Sequence, residues 1–386
     1  MKGLLALFLI NLTLWQAVAE GPRVKWGGLL FRGKSADREK LYPVLSKPEV
    51  TDRLQNALAS AMKQVSRQDC SVLVGEKFEL SSGDSLVLGC VIEDEDTLVA
   101  KVIGENGDEY YGQVTIAASL VVFDFKQGVV ISSSIVSSLM EFGKDQVLKL
   151  PPTTEQIDAF VGKLVFGPFE SEVDLVSRVK VSMVTIPIKE KANFGRLQVS
   201  LPEFDEKTLK EMDAVDEFQK QRTRRQICQK IASSLAQDFR LNVLPPTDGD
   251  STLQTMTVSF ADKSQISENG PSEKVFQLRP PTVIGKIQIT GGTDYVQKKL
   301  SNQVQTVKAF GSQSEIQFFE LGNLKYEKVW AYGVNKGFAP AFADQQVESV
   351  RRLYHRQAIE NGFQKKFMDV VGKEKAWKEL VSKLTL

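Results

Sequence analysis

The chain has 386 residues, 42% of them hydrophobic and 25% charged, with 49 basic residues against 48 acidic ones. That is the composition of a folded globular protein, long enough for two domains of ordinary size. So even a charge balance excludes a general nucleic-acid binder, which shows a basic excess or stripe, and a single histidine removes most acid–base and zinc designs built on imidazole.

The N-terminus predicts export. Lys2 supplies a short positive region, residues 3–15 are apolar apart from Asn11 and Thr13, and Ala17-Val18-Ala19 places small residues at the positions a signal peptidase reads before Glu20. Residues 1–19 are therefore expected to be cleaved after Ala19. No cysteine lies near that point, so no lipid anchor is expected there. The rest of the chain has no apolar run of spanning length, and no Asn-x-Ser/Thr sequon, which leans toward a bacterial envelope. The expected location is the periplasm or the outer membrane surface.

Strands are predicted over 24–31, 71–74, 86–92, 98–103, 113–125 and 129–136. An amphipathic helix over 52–67 carries Leu54, Leu58, Ala61, Met62 and Val65 on one face. Turn chemistry separates the strands: Ser-Ser-Gly-Asp at 81–84, Glu-Asp-Glu-Asp at 93–96, and Glu-Asn-Gly-Asp at 105–108. Gly128 marks a hairpin between two apolar runs, and Val121, Val122 and Phe123 make its first strand a central one. After Pro151-Pro152, Thr153 and Gln156 form a capping box for a helix through Ile157, Phe160 and Val161. Strands are expected again at 181–188 and 197–201.

A long helical stretch over 206–239 ends in a buried stripe of Ile227, Ile231, Leu235 and Phe239. Strands follow at 255–260, 283–290, 316–320 and 326–332, with polar segments between them, one of which (295–308) reads as a short helix. The tail over 344–386 is helical, with one stripe through Val347, Val350, Leu353, Tyr354 and Ala358 and another through Trp377, Leu380, Val381 and Leu384. Its default role is to dock on the last domain.

The expected class is α+β: an N-terminal domain over 20–150, a connection over 151–178, a second domain over 179–343, and helices over 344–386. The two halves share an outline of strand, amphipathic helix and antiparallel meander, with 86–93 matching 253–260 in position.

Three cysteines remain in the exported chain. In an oxidising compartment a Cys70–Cys90 bridge is the cheapest pairing the predicted strands offer, leaving Cys228 over. The alternative is three small buried thiols.

Catalytic motifs are weak. Gly83-Asp84-Ser85-Leu86 spells the signature of secreted serine esterases, but that family takes its base from an Asp-x-x-His run, and Arg352 stands three residues before His355. A hydroxyl without a base in reach is a poor nucleophile. His355, among Arg351, Arg352 and Arg356, reads as a solvated helix position. The acidic runs 93–96 and 106–109 lack the spacing of a calcium loop and read as solvated turns, although paired carboxylates from them would suit a hydrolase. Arg222, Arg224 and Arg225, with Lys230, form a basic cluster suited to a partner or a phospholipid surface. Gly291-Gly292 belongs to no phosphate-binding frame. No catalytic, metal-binding or cofactor-binding residue is expected.

The stretch Leu120-Val-Val-Phe-Asp-Phe-Lys-Gln-Gly-Val-Val-Ile-Ser132 resembles a hairpin in envelope α+β domains of the curli-secretion-channel and penicillin-binding-protein-activator lipoprotein type. In those, an apolar run, an Asp, a short turn with Gly, a second apolar run and a Ser follow a helix and earlier strands. The resemblance spans about a dozen residues in motif, and those proteins are usually lipidated, unlike this chain. It implies a non-catalytic domain that docks on envelope partners or assembles into a ring. The expected function is therefore a partner-binding or assembly scaffold of the cell envelope. Its partners would be envelope proteins or further copies of itself, with peripheral membrane contact through the basic cluster and no nucleic acid. The alternative is a secreted hydrolase using carboxylates.

Overall fold

The computed structural model describes residues 22–75, 86–104, 107–143, 148–167, 174–188, 195–211, 217–246, 255–261, 272–300, 303–338, 355–371 and 373–384. The expected export signal over 1–19 and the Gly83-Asp84-Ser85 turn lie outside them.

β1 (Arg23–Arg32) is apolar along almost its whole length and buried on both faces, the pattern of an interior strand. On one side it pairs in parallel with β3 (Leu86–Gly104). It also pairs with β2 (Ser71–Leu73) through Arg23–Lys25 and with β8 (Thr255–Phe260) through Leu30–Arg32. The change of neighbour falls where the register slips between Trp26 and Leu29. Gly28 there has φ of 79°, a conformation that only a residue without Cβ adopts freely.

From β3 the sheet runs antiparallel through β4 (Gly107–Asp124) and β5 (Val129–Phe142). It then continues through β9 (Glu273–Leu278) and β8 back to β1. The strands thus close on themselves. The lumen is filled by Leu30, Val87, Val91, Val121, Phe123, Val130, Met256, Val258, Phe260, Phe276 and Leu278, with Phe123 and Phe276 at 4.2 Å between ring centroids. Gly89 makes room in this wall: a Cβ there would lie 2.2 Å from Leu30 Cδ1 and 3.3 Å from the Phe123 ring, so the Leu30 side chain would have to move. The expected hairpin joins β4 to β5, with Gly128 at φ 68° and its N–H donating to Asp124 O.

The opposite face of β1 and β3–β5, from Leu88, Cys90 and Ile92 to Val114, Ile116, Leu120 and Val122, is covered by helices. These are α1 (Pro48–Lys63), α2 (Thr154–Phe166) and α3 (Leu175–Thr185). α2 opens with the expected capping box at Thr153 and Gln156, but its Val161, Leu164 and Val165 belong to this core rather than to a connection between halves. The strand expected over 181–188 is instead the end of α3, through Thr185, followed by residues 186–188 outside any strand. Asp174 accepts from Ser177 N at 2.9 Å, and Leu175, Val179 and Met183 recur at helical spacing on the buried side, so the cap and the period of four override the β-branched run.

The segment 253–260 is expected in the second half as the counterpart of 86–93, and no strand is expected where β9 stands; β8 covers 255–260. Both segments lie in the same sheet, each paired to β1. The division between sheets therefore does not follow the 151–178 segment.

The second sheet has the order β12-β11-β10-β6, with β7 also on β10. Its short strands are β6 (Leu197–Val199) and β7 (Glu203–Phe204), and its long ones β10 (Val283–Leu300), β11 (Gln303–Glu320) and β12 (Asn323–Phe338). In the segment 295–308, expected as a short helix, the described residues 295–300 and 303–308 are the far ends of β10 and β11, paired continuously from Val283↔Glu320 to Leu300↔Gln303. One face of this sheet packs on α5 (Glu217–Asp238) and on the C-terminal helices α6 (355–371) and α7 (Lys375–Leu384).

α5 lies between the two sheets, its Ile227, Ile231 and Leu235 grouped with Ile135 of the first sheet and Ile287, Ile316 and Phe318 of the second. α4 (Glu206–Glu211) sits at the β10 border, where buried Thr208 accepts from Gly291 N at 2.6 Å. The tail docks on the last sheet as its stripe predicts: Trp377, Leu380 and Leu384 are buried. Trp377 meets Phe318, Tyr326 and Phe367 at 5.2, 5.2 and 5.7 Å. α6 widens to a π-helix over Phe363–Met368, which brings Phe363 and Phe367 into a 4.7 Å stack. The chain is α+β with a C-terminal helical stretch. Among the described residues no helix is long and apolar enough to cross a membrane.

Candidate functional site

The run Glu93–Asp96, expected as a solvated turn between two strands, lies in the middle of β3 and is buried throughout. The two predicted strands are one. The register slips between Ile92 and Asp94, leaving Glu93 as an extra residue. That bulge changes the phase of the strand. Before it, Cys90 and Ile92 point to the core under α1–α3. After it, Glu95 takes that side, and Asp94 and Asp96 turn toward α5 and α6. Four consecutive acidic residues are thus distributed among three environments.

Each carboxylate is met there. Glu93 accepts from Arg32 at 2.9 Å, and Arg32 also donates to Pro246 O at 2.7 Å. Glu95 accepts the N–H groups of Val44 and Leu45 at 2.9 and 2.8 Å. Asp94 accepts from Gln226 of α5 at 2.9 Å. Asp96 pairs with Arg222 at 3.2 Å and Arg356 of α6 at 3.0 Å. The wholly buried Arg356 further donates to Glu360, Gln226 and Thr115 at 2.8, 2.9 and 3.2 Å. One guanidinium thereby ties the first sheet, the central helix and the C-terminal helix together.

Burial dominates the electrostatics. It raises the Asp94 carboxyl to about 6, with the Asp96 charge adding to it and Arg222 opposing. It raises Glu95 to about 7, against the two amides that favour the anion. A carboxyl raised in this way suits general acid–base work. Here, however, all four residues of the run are buried, Asp94 being the most open with 12% of its side chain exposed. Each carboxylate faces at least one protein donor, although Glu93 Oε1 has none among the described residues, so the cluster offers a substrate little approach. Among the described residues no group of His, Cys, Asp and Glu has the arrangement of a metal site.

The basic cluster is half-buried, and its first arginine turns inward. Arg222 donates to Glu95 O at 2.6 Å and pairs with Asp96, while Arg224 and Arg225 are half-buried on the same helix. The signal that relates these arginines to 93–96 is the charge complement between two distant segments, which one chain read linearly does not pair.

His355, expected at a solvated position, is fully buried at the start of α6. The expected Cys70–Cys90 bridge is not formed. Cys70, Cys90 and Cys228 are all buried free thiols. Ser71 aligns with Arg23 of β1 and Cys90 with Leu29, which separates the pair by about 20 Å along the strand at ~3.3 Å per residue, well beyond the ~7 Å limit for a bridge. Of the second acidic run, Asp108 pairs with Lys101 at 2.7 Å and Glu109 with Lys149 at 2.9 Å.

Among the described residues, one open surface is the outer face of the second sheet. Its alternation leaves Lys286, Gln288 and Thr290 of β10 and Gln313 of β11 exposed, with Gln317 half-buried. At its base one cross-strand row is apolar instead: Ile284 pairs with Phe319, and Phe319 with Leu324. Ile284 is 36% exposed and Leu324 49%. The turn beside them carries Leu321 at φ 50° and 90% exposed, an apolar side chain in a left-handed conformation that Asn or Gly would adopt with less strain. The next rows place Gln317 opposite Glu327 and Glu315 opposite Val329. The Gln317 amide donates to both Glu315 and Glu327, at 2.6 and 2.7 Å. Sequence reading missed this surface because each apolar residue sits alone in its own strand and only register aligns them.

No protein-family model matches the chain, and no curated protein matches it. Among solved structures, a neuraminyllactose-binding hemagglutinin homolog from Helicobacter pylori is similar at 10% identity with a TM-score of 0.30, over 51% of this chain and 94% of that one. A similarity of that extent carries no inference about fold or binding.

Proposed function

We propose that the chain is a non-catalytic binding or assembly module of the cell envelope that engages a protein partner through the outer face of its second sheet. The observation that carries this reading is the apolar row Ile284–Phe319–Leu324 with Leu321 at its turn. The outer positions of β10 and β11 above it are polar (Lys286, Gln288, Thr290 and Gln313), so an apolar row spanning three strands there is a departure from the pattern of those strands. The export pattern of residues 1–19 supports an envelope location. The enclosure of Glu93–Asp96 speaks against the alternative of a carboxylate hydrolase.

A photo-crosslinking residue placed at Phe319 in the native host is expected to give a discrete protein adduct that Leu324→Asp abolishes. The same residue at Val181, a more exposed apolar site on α3, is expected to give none. Equal labelling at both positions, or none at Phe319, would refute the reading.

A further inference from the structure

Building on that reading of the second sheet, we infer that the β12 edge is a strand-addition site for an extended segment of another polypeptide. That segment would carry a Lys or Arg abreast of Glu327, between apolar residues abreast of Leu324 and Val329.

β12 pairs with β11 from Asn323 to Phe338, and among the described residues no strand lies on its other side. Ala331 and Gly333 of the strand are both exposed, and at glycine the exposed surface is backbone. A row of unpaired N–H and C=O groups is complemented by another extended chain.

The strand is also anchored on its inner side. Tyr326 and Trp330 are buried beneath α6 and α7, and the Tyr326 hydroxyl and Lys328 ammonium both reach Glu374, at 2.8 and 2.6 Å. An incoming strand therefore meets a template already in place, which lowers the ordering cost of association. No proline interrupts Asn323–Phe338, and its one register slip, with Lys325 as the extra residue, is confined to its start, so beyond that point neither proline nor a bulge blunts the edge.

The side chains beside the edge specify the partner. On the outer face β12 presents Leu324, Glu327, Val329 and Ala331, all exposed. Glu327 shares the Gln317 amide with Glu315, and the Glu327 carboxylate holds the Glu315 carboxyl above its ordinary range. Neither carboxylate has a cation paired with it among the described residues. A basic side chain on an added strand would stand next to both, flanked by apolar neighbours. A second copy supplies this poorly: the outer-facing set of its own β12 is Leu324, Glu327, Val329 and Ala331, which contains no cation.

The test uses the full chain with a nine-residue peptide of alternating Thr and Val carrying one central Lys, and its Lys→Glu counterpart. Binding is read by fluorescence anisotropy and by hydrogen exchange of β12. The Lys peptide is expected to protect β12 amides and to bind at least about tenfold more tightly than the Glu peptide. Glu327→Lys is expected to reverse that preference. Binding without protection of β12, a preference unmoved by Glu327→Lys, absence of binding at millimolar peptide, or protection of β12 by self-association of the chain would each overturn the inference. Adducts from Phe319 with no protection of β12 would leave the binding face standing and remove strand addition. Loss of both would remove both.

Discussion

Glu95→Gln isolates the electrostatic cost of a carboxylate that the fold encloses. Its carboxyl is raised to about 7 from an ordinary 4.5, chiefly by burial. The folded chain therefore holds a proton on Glu95 between pH 4.5 and 7 that the unfolded chain has released. Stability must fall as pH rises through that window, because the native state binds the extra proton. At about 1.4 kcal/mol for each tenfold change in proton affinity, the full loss is about 3 kcal/mol, complete above pH 7. Asp94, raised to about 6 by burial and by Asp96, acts with the same sign. The wild-type chain is thus expected to be more stable at pH 5.5 than at pH 8.

Glutamine keeps the shape and one carbonyl oxygen to accept from Val44 or Leu45, and carries no charge. Urea denaturation of both proteins at half-unit steps from pH 5 to 8.5 reads the effect. Glu95→Gln is expected to lose a large part of the slope, matching wild type near pH 5 and gaining up to about 3 kcal/mol on it at pH 8. Parallel stability curves across the whole range would show that Glu95 titrates as an ordinary carboxylate and that its enclosure has no electrostatic cost.

Arg356→Met leaves Asp96 and Glu360 buried with one cation fewer and is expected to cost about 3–5 kcal/mol in denaturant unfolding. Replacing Asp96, Arg356 and Glu360 together by apolar residues is expected to recover much of that loss, and a cost as large as the single change would contradict the account. Gly112→Ala sets a Cβ 2.1 Å from Leu98 O and 2.3 Å from Phe142. A destabilisation at the upper end of the ~1–3 kcal/mol typical of overpacking is expected, and thermal denaturation checks it. The Cys90 and Cys228 thiols are pushed up to about 12 by burial, so they are expected to resist alkylation at pH 8 until the chain unfolds. Mass spectrometry after a maleimide pulse in native buffer reads this, and rapid labelling of either thiol would refute it. Added reductant is expected to leave the melting temperature unchanged, as no bridge links Cys70 to Cys90.

Sequence by itself determined the elements whose signal is local. The capping box at Thr153 needs only Gln156 three residues on. The β4–β5 hairpin needs only Gly128 between two apolar runs, and the stripe of α5 repeats every four residues whatever packs on it. The α+β class and the docked tail follow from such local patterns.

The rest depended on partners far away in the chain. Four consecutive acidic residues read as a turn because isolated carboxylates are strongly hydrated. They are buried in β3 because Arg32, Arg222 and Arg356, from three other segments, lower the cost of dehydrating them. β8 and β9 close the first sheet because β1 can bend at Gly28 and offer its end to a second neighbour. The apolar row at the base of the second sheet has no sequence signature, since Ile284, Phe319 and Leu324 become neighbours only through strand register. Local periodicity is written in the order of residues. Which charges meet, which strands adjoin and which side chains share a surface are settled only when the chain folds back on itself.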